Sequence, residues 1–106
     1  MAEHLLVETQ GPWNGPGCAR LVEDAVTLAG AGDRVCLFLV EDGVAAAVPG
    51  ALPALAELRR RGGTLWVDEF SLRRRALDPA ATEGEAVAMD AVAAKLLAPD
   101  VRVVWH

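Results

Sequence analysis

A chain of 106 residues that is 53% hydrophobic, 24% charged and carries a net charge of −5 is not intrinsically disordered, because its apolar content is high and its net charge modest. The acidic balance also argues against non-specific binding to DNA or to anionic membranes, since both need a large positive field. At 11.2 kDa, area scaling gives ~5,700 Å² folded against ~16,000 Å² unfolded, so one domain over residues 1–106 buries roughly 65% of its surface without disulfides or metals. The apolar run at Leu5 to Val7 has no basic stretch before it and is flanked by Glu3 and Glu8, which does not fit a signal peptide. Val35 to Val40 is too short to cross a bilayer. A cytoplasmic, reduced compartment is expected, with Cys18 and Cys36 as free thiols.

His4 to Thr9 reads as a first strand and Gln10 to Gly17 as a loop dense in Gly and Pro. A helix follows from Pro16. Cys18, Leu21, Val22, Ala25, Leu28 and Ala29 recur at three and four along one face, and Gly30 and Gly32 end it. Arg34 to Val40 is a second strand whose unbroken apolar character calls for cover on both faces, as in a parallel sheet between helix layers. Glu41-Asp42-Gly43 terminates it. Pro53 starts another helix with Leu52, Leu55 and Leu58 on one face, Arg59 to Arg61 at its carboxyl end and Gly62 as cap. Thr64 to Val67 is a third strand and Phe70 to Leu77 one or two helical turns. Thr82 and Glu85 have capping-box spacing for a last helix to about Leu97, stopped by Pro99, with Asp78 to Asp90 too short for a further strand. Val101 to Trp105 is a final strand. This alternation describes a three-layer α/β/α sandwich with a mostly parallel open sheet of flavodoxin-like topology.

Ligands of such sheets sit at the carboxyl ends of the strands, which directs attention to Gln10 to Gly17, Glu41 to Gly43 and Asp68 to Ser71. The first loop lacks the GxGxxG order and the GK[ST] ending of phosphate loops, so a plain strand-to-helix turn competes with small-ligand or nucleotide binding there. Ser71 is the only serine and has no GxSxG elbow. His4 and His106 lie at the two ends of the chain and no HxxxH or CxxC spacing exists, so neither metal nor cofactor is expected. Glu41, Asp42, Asp68 and Glu69 either converge at one end of the sheet or are solvated loop acids. Cys36 reads as an inert core residue. Cys18 falls in a first helical turn, where backbone N–H groups favour a thiolate, yet it also lies on the apolar stripe. Six of the ten basic residues lie between Arg59 and Arg75, where they either complement helix ends or form a rim for an acidic partner or RNA phosphates. From Ala86 to Ala98 only Asp90 and Lys95 are polar, so that helix is apolar nearly all round and points to subunit contact.

The order and spacing of several pieces resemble the DsrE/DsrF/DsrH-like sulfur-relay proteins, most closely the DsrH/TusB branch. They are His4-Leu5-Leu6 in the first strand, Gly11-Pro12-Trp13 after it, Leu37 to Val48 (LFLVEDGVAAAV), Leu65-Trp66-Val67 followed by Leu72, Arg75 and Leu77, and Val103-Val104-Trp105. The resemblance covers nearly the whole chain. It implies a DsrE-like domain that assembles into homo- or hetero-oligomers with DsrE/DsrF-like subunits. It also implies persulfide sulfur passed between carrier proteins, toward 2-thiouridine in tRNA or in sulfur oxidation. Active subunits place a cysteine just after the third strand, where this chain has Val67-Asp68-Glu69-Phe70-Ser71 and no cysteine anywhere after Cys36. Asp68 and Glu69 thus mark a degenerate family site, with Arg73, Arg74 and Arg75 behind it for partner docking. Some DsrH-like members carry a cysteine in the first helix, near the place of Cys18. A sulfurtransferase acting through Cys18 is therefore the alternative to a non-catalytic relay subunit.

Overall fold

The computed structural model describes residues 2–106. Strand β1 (Glu3–Glu8) is flanked by β2 (Arg34–Leu39) and β5 (Val101–Trp105), and the sheet continues from β2 to β3 (Thr64–Asp68) and β4 (Glu85–Val87), giving the order β4-β3-β2-β1-β5. All neighbouring pairs are parallel. β2 is buried from Val35 onward, as an unbroken apolar run between two layers must be.

Helices α1 (Gly17–Gly30), α2 (Ala54–Arg60) and α3 (Glu69–Arg74) cover one face. Their Leu21, Val22, Ala25, Leu55, Leu58 and Leu72 pack with Leu6, Leu37, Leu39, Leu65 and Val67 of the strands. Helix α4 (Met89–Leu96) covers the other, placing Val92 among Leu5, Val7, Cys36 and Phe38. This division follows from the strand order. Crossovers from β1 to β4 all step one way, and the crossover from β4 to β5 returns across the whole sheet; a constant crossover hand then requires the return helix to lie on the opposite face. The doubly wound principle is that of flavodoxin-like sheets, but four strands step one way here where flavodoxin's order 2-1-3-4-5 turns after two. The accessible surface, 5660 Å², agrees with the area scaling. No helix among the described residues is long and apolar enough to cross a membrane.

The last third of the chain corrects two expectations. Glu85 does not cap a helix: Glu85, Ala86 and Val87 pair with Trp66, Val67 and Asp68 as edge strand β4. The Thr82 hydroxyl bonds back to the Pro79 carbonyl instead of capping forward. Three residues suffice for that edge, since α3 and a single turn at Pro79–Ala81 complete the crossover from β3. The final helix therefore starts only at Met89. Nor is α4 free on all sides. Val92 is wholly buried, while Lys95 Nζ bonds both Glu3 carboxylate oxygens at 2.8 and 2.9 Å and lies 4.9 Å from the Trp66 ring centroid. Met89, Leu96 and the following Leu97 are the large apolar residues left exposed there.

Candidate functional site

Residues expected after the third strand do meet at one place, the carboxyl ends of β2 to β4, but as a locked arrangement. Asp68 caps α3. One of its oxygens accepts the Ser71 N–H at 3.0 Å and the Ser71 hydroxyl at 2.6 Å, and that hydroxyl oxygen accepts the Glu41 N–H at 2.9 Å. Glu41 has a left-handed backbone, φ +55°, unfavourable for a residue with a Cβ and held here by the Ser71 bond. Asp68 and Ser71 are buried. Four acids therefore do not form an open cluster. Glu69 accepts Arg73 at 2.8 and 3.0 Å, and Asp42 accepts Arg75 at 2.8 Å.

The two Arg triplets are partly neutralised in the same way. Arg60 and then Arg61 hold the exposed Glu57 carboxyl below the usual carboxylate range by bonding it. Arg74 stacks its guanidinium 5.7 Å from the Phe70 ring centroid. Above this network lie two adjoining hollows of about 390 and 350 Å³ that share Asp68, Phe70 and Met89; Ala88, Glu69 and Arg73 complete the larger. Phe70 is 66% exposed on its rim. The place offers an apolar ledge edged by paired charges, with no thiol of its own.

Cys18 lies in the first turn of α1, as expected, yet its surroundings oppose a thiolate. It is 1% exposed, and burial first, then the nearby Glu8 carboxylate, pushes the thiol up to about 11. Desolvation outweighs the helix N-terminus. Cys36 is also wholly buried, and burial pushes it up to about 12.

The fold brings together a pair that stands far apart in the sequence. Glu8, at the carboxyl end of β1, is 0% exposed. Its carboxylate accepts the Gln10 N–H at 3.0 Å and meets His106 Nδ1 at 2.8 Å from both oxygens. The backbone of His106 extends the pairing of β5 with β1: its N–H donates to the Val7 carbonyl at 2.8 Å, and its carbonyl accepts the Thr9 N–H and hydroxyl at 2.9 and 2.8 Å. The imidazole lies over Gly17, where a Cβ would come within 2.5 Å of the ring, so a residue without one is needed to open α1. The one sequence signal was Glu8 itself: alternation from Leu6 turns this acid toward the core side of the sheet. His4, by contrast, stands 3.8 Å from Asp33 at the other end of the sheet. In the Gln10 to Gly17 loop, Asn14 Oδ1 accepts the Gly11 N–H at 2.8 Å across a turn at Pro12–Asn14, without a phosphate-cradle sequence.

No protein-family model matches the chain, and no curated protein matches it in sequence. Among solved structures it is similar to the crystal structure of the YchN protein from E. coli, with a TM-score of 0.81 and 19% sequence identity over 98% of this chain and 100% of that chain. At this identity the likeness speaks for the fold, and the three-layer, all-parallel architecture is DsrE-like.

Proposed function

We propose that this chain is a non-catalytic docking subunit of a cytoplasmic sulfur-relay assembly of the DsrH/TusB kind. It pairs with DsrE- or DsrF-like subunits that carry persulfide toward tRNA 2-thiouridine or in sulfur oxidation. The observation that carries this reading is the end of β3. Where an active subunit of the resembled family needs a thiol, Asp68 is tied to Ser71, and an exposed apolar ledge of Phe70 and Met89 stands over it. Persulfide transfer needs a sulfur nucleophile, which a carboxylate cannot replace. A ledge of this kind suits contact with another protein, and Arg73 to Arg75 with Glu69 and Asp42 supply a polar rim around it.

The test is binding of the purified chain to a DsrE/DsrF-like sibling, followed by calorimetry. Phe70→Ser and Met89→Ser each weaken binding about tenfold or more, as loss of a buried apolar anchor does. Arg73→Glu with Arg74→Glu slows association in a salt-dependent way. Asp68→Cys, offered a persulfide donor, loads sulfur poorly; loading and passing sulfur as readily as a competent subunit overturns the account of the site. For the Cys18 alternative, a mass increment of one sulfur on the native chain, lost in Cys18→Ser, is the result that favours it.

A further inference from the structure

Parallel sheets bind ligands where successive connections leave for opposite faces. In the order β4-β3-β2-β1-β5 the stepping of the strands reverses between β1 and β5, and the crossover helices α1 and α4 lie on opposite faces. The Glu8–His106 pair stands at the carboxyl ends of these two strands. A carboxylate only accepts hydrogen bonds, so its 2.8 Å contacts place a proton on Nδ1, and in the neutral ring Nε2 is then the acceptor. No hydrogen bond to Nε2 occurs among the described residues, and the side chain is 38% exposed. Backbone bonds on both sides of the residue and the Gly17 seat fix the ring in position.

A groove of about 340 Å³ runs below it between α1 and β5, lined by Leu6, Leu21, Leu28 and Val104 with Asp24 and Thr27 at its edge. Leu6 precedes Glu8 by two residues, and Val104 precedes His106 by two. The dyad therefore continues the floor of the groove on the same sheet face, ~7 Å further on.

We propose that His106 accepts a proton from an S–H group whose apolar stem lies in this groove, with Glu8 as the positioning residue. In the step, the S–H bond breaks, its electron pair stays on sulfur and the proton bonds to Nε2. The Glu8 carboxylate then faces the imidazolium, and no atom changes oxidation state. An imidazole can hold the proton of an acid that ionises near neutrality, such as a thiol or persulfide, before any further reaction, whereas an alcohol yields its proton to it only while its oxygen is attacking something else. Cys18 is not the group acted on, because it is enclosed in the core and the Glu8 carboxylate repels its anion. The choice of a persulfide-bearing partner as the natural source of the S–H group rests on the relay reading above; the proton-accepting dyad does not.

The probe is 2-phenylethanethiol, an alkyl thiol whose thiolate absorbs in the ultraviolet where the thiol does not, and whose binding is followed by tryptophan quenching. At a pH above the ordinary imidazole range, about 6.5, and below the free thiol's own pKa, saturating native protein raises the probe's thiolate absorbance about tenfold, the low end of what an adjacent cation does to an acid. Glu8→Gln and His106→Gln still bind the probe and return its ionisation to the free value, while Val104→Glu loses binding. Nitrogen NMR of the native protein reports the Nδ1–H tautomer for His106, and Glu8→Gln loses that preference. The native protein alone decides the matter if a variant unfolds. A bound probe that titrates as in water, or no binding up to millimolar probe, overturns the proposal. Sibling docking with no ionisation refutes the dyad and spares the relay reading; ionisation with no docking does the reverse.

Discussion

Val92 decides what holds α4 in place. It is the one wholly buried side chain of that helix, set among Leu5, Val7, Cys36 and Phe38, and among the described residues α4 is the only helix on that face of the sheet. Val92→Ala removes two methyl groups, ~1.6 kcal/mol of transfer energy at ~0.8 per carbon. The cavity left behind raises the cost to roughly 2–3 kcal/mol. For a chain of this size that lowers Tm by roughly 10–20 °C. Val92→Asp is worse, on the order of 3–5 kcal/mol, because the charge has no partner there. The assay is thermal denaturation by circular dichroism together with light scattering. Leu97→Ser serves as control: Leu97 is 85% exposed, so its loss stays within ~0.5 kcal/mol. If Val92→Ala leaves Tm at the control value and instead dissociates an oligomer, Val92 lies at a subunit contact and the packing argument fails.

Three further outcomes are expected. Iodoacetamide labels Cys18 and Cys36 slowly and alike at pH 7 in the native protein, and both rapidly in urea. Because both thiols are raised in the folded state, to about 11 and about 12, the folded protein keeps protons that the unfolded chain releases above its ordinary 9.0. The stability this provides is complete below about pH 9 and is lost as pH rises toward 11 and 12, a slope that Cys18→Ala reduces. Asp68→Ala removes the α3 cap and leaves the Ser71 hydroxyl and N–H without their acceptor, which costs ~1–2 kcal/mol in urea denaturation. Lys95→Met breaks the half-buried pair with Glu3 and the stacking on Trp66; it lowers stability by ~1 kcal/mol and shifts Trp66 fluorescence, whereas an unchanged emission refutes that contact.

The layers were legible in the sequence because their signals are local. The unbroken run from Val35 to Val40 and the stripe from Cys18 to Ala29 each state their burial within a few residues, and the structure buries them accordingly. β4 was hidden because a three-residue edge strand of Glu, Ala and Val has no period of its own and merges with the alanine-rich helix behind it. The arginine count suggested a basic rim, but the salt bridges of Arg60, Arg61, Arg73 and Arg75 depend on geometry that composition does not contain. Glu8 and His106 are separated by almost the full chain, and only the return of β5 to the far edge of the sheet makes them neighbours. No local pattern announces such a pair.

The one-way stepping of the first four strands also determines which end-of-strand loops close. Connections after β1, β2 and β3 all fold toward the same face, so adjacent loops crowd together. Gly43 passes so near β1 that a Cβ would stand 2.3 Å from the Glu8 carbonyl oxygen. Arg75 reaches Asp42, and Ser71 takes the Glu41 N–H. These contacts tie together the loops at the ends of β1, β2 and β3. A thiol at position 68 would have to give up the cap of α3 and, with it, the Ser71 hydroxyl that steadies the left-handed Glu41. At the carboxyl ends of β1 and β5 stand a buried carboxylate and a half-exposed imidazole. The place where the resembled family puts its chemistry and the Glu8–His106 pair therefore stand over different strands of one sheet, and substitutions at Asp68 and at His106 should act independently.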